Sequence, residues 1–467
     1  MIKLPNSIQQ ISEVILQIGA RPIIVGGFVR DSLIGNSSKD IDIEVFGIKT
    51  LSELEKILTP FGSVKEVGKS FGVLKVTIDE LELDISMPRT EIKTGSKHKD
   101  FTVTTDGSLT FAKAAIRRDF KMNALGFDIK TKKILDPFDG LKDIKNRTIS
   151  HINDETFTED PLRILRAIGF ASRFNFKIEN STKELCKKMI TQGALQHLSK
   201  ERIYEEIKKI LLKSKKPSIA FNLANELDIN KNLFPEIEAL RGVKQREKYH
   251  PEGDVFVHTL MALDVMAKHK ENNEKIKLIL MFATLCHDFG KATTTKFING
   301  EYRAHGHEVA SVKIAKNFLN RLTNDKSLIE AILPLVHHHG EPSKFHQNNV
   351  SDGAIRRLAN KVNISLLVEV SQADSLGRTT EDALNGYYPA KKWLLKRADH
   401  LNVRDKSPKH IIQGRHLIEL GLSPSAEFKK ILDEVFEAQM DNEFAELHNA
   451  KKWLKKYLIK NKYNISL

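Results

Sequence analysis

Ile23-Ile24-Val25-Gly26-Gly27-Phe28-Val29-Arg30-Asp31, followed closely by Lys39-Asp40-Ile41-Asp42-Ile43-Glu44-Val45, is the stretch whose reading decides the fold. An apolar triplet runs into a Gly-Gly turn, and an Asp-x-Asp then sits on a second apolar run. In a strand, residues i and i+2 point to one face. Asp40 and Asp42 therefore project together, as two hard oxygen ligands of Mg²⁺ do. Gly26 and Gly27 offer backbone N–H groups to an anion, and Arg30 adds a cation nearby. A carboxylate pair for divalent metal beside a phosphate cradle is the machinery of nucleotidyl transfer.

Working outward, the spacing predicts strands at 23–25, 41–46, 73–78 and 81–87, and helices at 11–19 and 51–58. The first 150 or so residues then form a small α/β domain with a mixed sheet. In Leu81-Glu82-Leu83-Asp84-Ile85-Ser86, Glu82 and Asp84 share a face. Asp84 lies deeper in the apolar run and is the expected third acid of a two-metal site. Further on, Ile116-Arg117-Arg118-Asp119-Phe120-Lys121-Met122-Asn123-Ala124-Leu125 is read as helical, which sets Asp119 and Asn123 on one face. Arg117 and Arg118 are candidate phosphate ligands, Arg118 in bidentate fashion. Asn123 suits a ribose hydroxyl or a phosphate oxygen.

Thr158-Glu159-Asp160-Pro161-Leu162-Arg163-Ile164-Leu165-Arg166 opens another helix, with Thr158 expected as N-cap and Pro161 in the first turn. Ordinary helical ion pairing accounts for such charges in many proteins. The sharper reading is a base-reading edge, in which a carboxylate accepts from an exocyclic amino group and an arginine donates to the adjoining acceptor. Cytosine and adenine present that order; guanine and uracil present the reverse. An Asp160–Arg163 pair therefore favours C and A without a template.

From about residue 150 onward helical periodicity dominates, broken at Lys216-Pro217, Phe234-Pro235, His250-Pro251, Leu333-Pro334 and Ser407-Pro408. The middle of the chain is rich in histidine: His258, then His287-Asp288, His305-Gly306-His307, His337-His338-His339 and Asp374. Imidazoles and carboxylates gathered from several helices suit a borderline divalent metal. The last helical segment carries Lys451, Lys452, Lys455, Lys456, Lys460 and Lys462, read as a solvated face.

The totals agree. A chain of 467 residues is too long for one ordinary core and is expected to hold two to four domains. A formal charge of +14 and a pI near 9.4 point to a polyanionic partner, with nucleic acid first. Two cysteines outside any C-x-x-C argue against a disulfide framework or a zinc ribbon. MIKLPNSIQQ has no apolar signal core, and the longest apolar run, 278–286, is about half a membrane span. No membrane association is expected, and the chain is read as cytoplasmic.

In this order and spacing, Gly-Gly-x-Val-Arg-Asp, Lys-Asp-x-Asp, Arg-Arg-Asp-Phe-x-x-Asn-Ala and Glu-Asp-x-x-Arg-x-x-Arg resemble the class II tRNA nucleotidyltransferases, the CCA-adding enzymes, with bacterial poly(A) polymerases close by. The match runs over about residues 20–210 and ends near Leu198-Ser199-Lys200-Glu201-Arg202-Ile203. The resemblance implies template-free addition of C, C and A to the tRNA 3′ end from CTP and ATP with Mg²⁺. It implies that Gly27 and Arg30, with Gly26, bind the triphosphate, and that Asp40 and Asp42 carry the metals. Arg118, Asp119 and Asn123, with Arg117, would hold the nucleotide, while Asp160 and Arg163 read its base with Arg166 in support. Residues 89–101 match a loop that helps the family switch from C to A. Thr90 and Glu91 depart from the commoner Arg-Arg-x-Arg pattern there.

The histidine-rich region resembles the HD phosphohydrolases. That resemblance makes His258, His287, Asp288 and Asp374 ligands of one metal, with His307 and His339 (or His338) for a second, and implies phosphatase or phosphodiesterase chemistry. The expected architecture is α+β: a nucleotidyltransferase head with a small mixed sheet (1–150), an all-α neck (151–240), an HD domain (241–400) and a helical tail (401–467). Rival readings are a poly(A) polymerase or a CC- or A-only enzyme, a protein uridylyltransferase, and an RNA-binding module with dead sites.

Overall fold

The computed structural model describes residues 2, 4–37, 40–67, 72–78, 81–93 and 101–463. They fall into two compact units, Met1–Pro235 and Glu236–Leu467. Lys39 and the centre of the expected switch loop, 94–100, lie outside the described residues.

The first unit begins with α1 (Asn6–Gln17), β1 (Arg21–Val25), α2 (Gly27–Ile34), β2 (Ile41–Phe46) and α3 (Leu51–Leu58). Strands β3 (Ser63–Val67), β4 (Val73–Ile78), β5 (Leu81–Ser86), β6 (Arg89–Lys93), β7 (Phe101–Thr105), β8 (Gly126–Asp128) and β9 (Lys133–Leu135) follow. Seven of these make one sheet in the order β3-β4-β5-β2-β1-β8-β9. Its pairs are antiparallel apart from the parallel β2–β5 pair, so the sheet is mixed, as expected. Alternation along β2 decides its two faces. Ile41, Ile43 and Val45 join Ile8, Ile11 and Ile15 of α1 and Leu54 and Leu58 of α3 in the core. Asp42 and Glu44, one residue out of step, are left on the other face.

Two local expectations fail. The 116–125 segment is not an α-helix: a short helix, Phe111–Ala115, gives way to a turn and a 3₁₀ turn, Lys121–Asn123. Phe120 is extended (φ −133°, ψ 150°), bridges to His151, and leaves the Lys121 N–H to donate to the Ser150 carbonyl. Thr158 is not an N-cap. It closes a one-turn helix, Asp154–Thr158, and the next helix, Leu162–Phe174, starts after Pro161. The Asp160 carboxylate accepts from the Leu162 N–H and does the capping instead.

Beyond residue 150 the first unit is helical, chiefly Leu162–Phe174, Asn180–Thr191, Lys200–Lys213 and Ser218–Glu226. The second unit packs Val255–Lys268, Glu274–Cys286, Lys326–His338 and Ile364–Leu376 against one another. From Lys277 to Cys286 every residue of the second of these is buried, which is why that apolar run has no amphipathic stripe. A two-stranded hairpin, Lys296–Ile298 with Glu301–Arg303, was not anticipated. A separate tail core gathers Ile412, Leu417, Ile431, Val435, Leu454 and Leu458. Lys452, Lys455, Lys456 and Lys460 face solvent, as read from their spacing. Cys186 and Cys286 are free and buried. Among the described residues, no helix is long and apolar enough to cross a membrane.

Candidate active sites

The first site lies where β1, β2 and β5 meet. Gly26 takes φ +71°, and a Cβ there would sit 2.7 Å from Arg118 Nη1; both facts demand glycine. Its own N–H is committed to the Leu125 carbonyl at 3.3 Å, so one amide of the expected phosphate cradle is already used. The parallel register places Asp42 directly opposite Asp84, and Val25 is the partner of Asp42 on the other side. Asp42 and Asp84 both project from the exposed face, with Asp40 just before the strand. Crowding by the walls of the site desolvates the Asp42 carboxyl and raises its pKa; Arg118 opposes this, and the Asp84, Glu44 and Asp40 charges reinforce it. Glu82 is paired instead with Lys75 at 2.8 Å.

Glu44, two residues after Asp42 on the same face, is 2 % exposed. One of its oxygens accepts from Arg117 Nη2 at 2.9 Å and Arg118 Nη2 at 3.1 Å. Sequence reasoning passed over it, although the Asp-x-Asp-x-Glu period contained the signal. Burial, then the neighbouring Arg118 charge, lowers the Arg117 pKa to about 10. Glu44 thus aims two guanidinium groups beside the acids.

Arg30 is 4 % exposed and already partnered. Its Nε donates to Asp31 at 2.7 Å and its Nη1 to Asn123 Oδ1 at 2.6 Å. Its guanidinium lies 5.0 and 4.8 Å from the Phe170 and Phe174 ring centres. Asn123 Nδ2 in turn donates to Asp119 Oδ1 at 2.7 Å, so the expected pairing survives without the helix. Burial alone would raise the Asp119 carboxyl, but Arg166, bound at 2.7 Å, and the Asn123 amide hold it below the usual range. The Arg30–Asn123–Asp119–Arg166 chain therefore ties α2 to the helix Leu162–Phe174.

Asp160 and Arg163 are held on the same side of that helix start. Arg163 Nη1 donates to the Thr156 carbonyl at 2.5 Å and Nη2 to the Arg117 carbonyl at 2.6 Å. Arg202 Nη2 lies 2.8 and 3.0 Å from the two Asp160 oxygens. Arg202 was quoted in the sequence but given no task. A carboxylate has about four lone-pair positions and a guanidinium five N–H groups, so both side chains keep capacity for a base edge.

The second site is in the Glu236–Leu467 unit. His258, His287 and Asp374 present ligand atoms within 4.8 Å of one another, and so do Asp288, His307 and His339. Asp288 stands between the two groups. Its Oδ2 lies 3.2 Å from His287 Nε2 and 3.8 Å from His258 Nε2, and its Oδ1 lies 3.5 Å from His307 Nε2 and 3.8 Å from His339 Nε2. His338 is turned away, onto Glu341 at 2.8 Å.

The donor chemistry fits divalent metal. The Nδ1 atoms of His287, His307 and His339 lie 2.7, 2.8 and 2.8 Å from the carbonyls of Thr284, Ala304 and Val336, each three residues back. A carbonyl can only accept, so each Nδ1 carries the proton and each Nε2 lone pair faces the cluster. His258 Nδ1 is likewise set, 2.9 Å from Glu252 Oε1 and 3.2 Å from the Gly377 carbonyl. His287 Nε2 and both Asp288 oxygens are buried without a well-aligned hydrogen bond, although Lys291 Nζ approaches Oδ2 to 2.7 Å. Burial, and then His287, drives the His339 pKa down to about 4, which keeps that imidazole neutral and ligating. Burial would raise Asp288 and Asp374, yet Lys291 and His287 around the first, and Arg378 and His258 around the second, hold both well below the carboxylate range.

Glu252 is the ligand-orienting residue that sequence reasoning left unassigned. Its side chain is 1 % exposed and one oxygen serves both His250 and His258.

Comparison with known proteins places each region. Residues 23–150 match the Poly A polymerase head domain, 175–240 the probable RNA and SrmB-binding site of polymerase A, and 255–379 the HD domain. The Bacillus stearothermophilus CCA-adding enzyme in complex with CTP shares the fold, with a TM-score of 0.71 at 20 % identity over 98 % of this chain and 99 % of that one. So does the Thermotoga maritima CCA-adding enzyme complexed with tRNA, with a TM-score of 0.59 at 20 % identity over 97 % and 96 %. The "Multifunctional CCA protein" of Mannheimia succiniciproducens is 34 % identical over 381 residues, 79 % of this chain and 87 % of that protein. An identity of that size over that span shows that the chain belongs to the family of the multifunctional CCA proteins, the CCA-adding tRNA nucleotidyltransferases.

Proposed function

We propose that the protein adds C, C and A to the 3′ end of tRNA from CTP and ATP without a template, and that its HD site hydrolyses phosphate esters at RNA ends. The observation that carries the first part is the Asp42–Asp84 register, with Asp40 alongside and Arg117 and Arg118 aimed past them by Glu44. Asp40, Asp42 and Asp84 are the residues that would hold Mg²⁺, which when bound supplies Lewis acidity at a 3′-hydroxyl and at the triphosphate. Arg117, Arg118 and the Gly27 turn bind the phosphates, and Asn123 orients the sugar. Arg30, sequestered beneath Phe170 and Phe174, positions Asn123. Asp160 accepts from the amino group of cytosine or adenine while Arg163 donates to the neighbouring acceptor. Arg166 keeps Asp119, and with it Asn123, in place. A tRNA substrate puts the protein in the cytoplasm.

In the HD site, His258, His287, Asp288 and Asp374 would hold one divalent transition metal, and His307 and His339 a second sharing Asp288. Bound there, such ions activate water and polarise a phosphate oxygen. No single ligand decides the first activity better than Asp42. Asp42→Asn should cut nucleotide incorporation by about 10³-fold or more, since several kcal/mol of transition-state stabilisation pass through the metals. Its thermal midpoint should stay near that of the parent, because Asp42 lies outside the core; full incorporation by Asp42→Asn would refute the assignment.

A further inference from the structure

Beside the HD cluster lies an open basin of about 490 Å³ that the chemistry above does not use. It is continuous with the metal site, because His307 and Lys291, which flank Asp288, form part of its wall. Its volume is in the range of small-ligand sites.

Two features give it a chemical character. The first is charge. Lys244, Arg246, Arg303 and Lys344 line it together with Lys291, against Glu308 within the lining and Glu301 at its edge, which pairs with Arg246 and, at 3.3 Å, with Arg303. Five cations against two carboxylates leave a strongly positive floor. Arg246 Nε, Arg303 Nε and Gln245 Nε2, all on lining residues, have no hydrogen-bond acceptor. Unmet donors on such residues call for an anion.

The second feature is aromatic. Tyr249 is 44 % exposed, with the Arg246 guanidinium 5.5 Å from its ring centre. Tyr302 packs against Phe297 at 5.0 Å, and Lys244 Nζ lies 5.8 Å from its ring centre. Exposed rings interleaved with cations are how single-stranded nucleic acid is held: bases stack, and phosphates meet the charges. A carboxylate peptide or inorganic phosphate would use the charges and leave the rings idle.

We propose that this basin seats a phosphate-bearing ribonucleotide for the HD site, with phosphates on Lys244, Arg246 and Arg303 and one base stacked on Tyr249. The inference rests on the reading of the HD cluster as a phosphohydrolase. An RNA end and a free nucleotide share the chemistry, and the test separates them. In the hydrolysis itself a water oxygen bonds to phosphorus, the P–O bond to the ribose breaks, the ribose hydroxyl takes the proton, and phosphate leaves.

The experiment uses the full chain loaded with Mn²⁺ or Ni²⁺. It compares a five-nucleotide RNA ending in a 3′-phosphate, a nucleoside 3′-monophosphate, and 4-nitrophenyl phosphate. The expected KM for the RNA is at least tenfold below that for 4-nitrophenyl phosphate. The pair Lys244→Gln and Arg303→Gln should raise the RNA KM about tenfold, with 4-nitrophenyl phosphate turnover and bound metal unchanged. Tyr249→Ala should raise it similarly, about the worth of one stacked base, and Tyr249→Phe should restore it. A nucleoside monophosphate used as well as the RNA supports the basin with free nucleotide as the source. Equal KM values for all three esters, or variants that lose metal and all turnover together, overturn the proposal. Should no ester be hydrolysed, the phosphohydrolase reading fails by itself. Crosslinking of the same RNA carrying a 3′-terminal 4-thiouridine then tests the basin. Adducts on 244–249 or 302–303 that vanish in the Lys244→Gln, Arg303→Gln protein support it, and adducts confined to other segments overturn it.

Discussion

Glu44 and Glu252 do similar work at the two sites. Each is a buried carboxylate that touches no reacting atom and fixes groups that do: Glu44 aims Arg117 and Arg118, and Glu252 sets the ring of His258. Outer partners of this kind typically govern metal affinity by 10- to 100-fold. Glu252→Gln should therefore weaken divalent-metal binding at the HD site by about that factor, read by equilibrium dialysis of the full chain. Nucleotide incorporation by the same variant should be unchanged, and an unaltered metal affinity would show that Glu252 does not orient His258. The ligands themselves were legible because histidine and aspartate at helix ends have few other reasons to cluster. Their orienting partners were not, since a glutamate two residues from His250 gives no sign in sequence that it is enclosed.

At the scale of elements, the sheet could be read directly wherever apolar alternation was clean. The strands at 41–46 and 73–78 and the helix at 51–58 have the expected bounds. The 116–125 segment misled because its helical spacing is real but local; the bridge from Phe120 to His151 draws the chain extended, and tertiary pairing overrides propensity. The hairpin at Lys296–Ile298 and Glu301–Arg303 carried an Asn-Gly turn, with φ +51° and +82° at Asn299 and Gly300, a strong hairpin signal hidden among helices. Element geometry also bears on base choice. Arg202, on the helix Lys200–Lys213, braces Asp160 on the neighbouring helix start. Arg202→Ala should loosen that brace, raising misincorporation of UTP relative to CTP several-fold while leaving the acids of the sheet untouched. Sequencing of the extended tRNA ends checks this, and unchanged fidelity would leave Asp160 needing no brace.

Across the whole molecule, the net charge of +14 has a consequence for tRNA. Phosphate contacts release counterions, and each costs affinity as salt rises. The Kd for tRNA should weaken by about 10²-fold or more between 50 and 200 mM salt if on the order of five phosphates are neutralised. A flat dependence, in fluorescence anisotropy titrations, would assign the charge to solubility alone. Charge and motif order pointed to a nucleic-acid enzyme from sequence; which cations line which cavity needed the fold.

The decisive measurement is to incubate the protein and Mg²⁺ with a tRNA lacking its terminal CCA, giving labelled CTP and ATP separately and together. Two additions from CTP alone, and a third only when ATP is also present, are predicted. Long A-tails, or no incorporation at all, would contradict CCA addition by this chain.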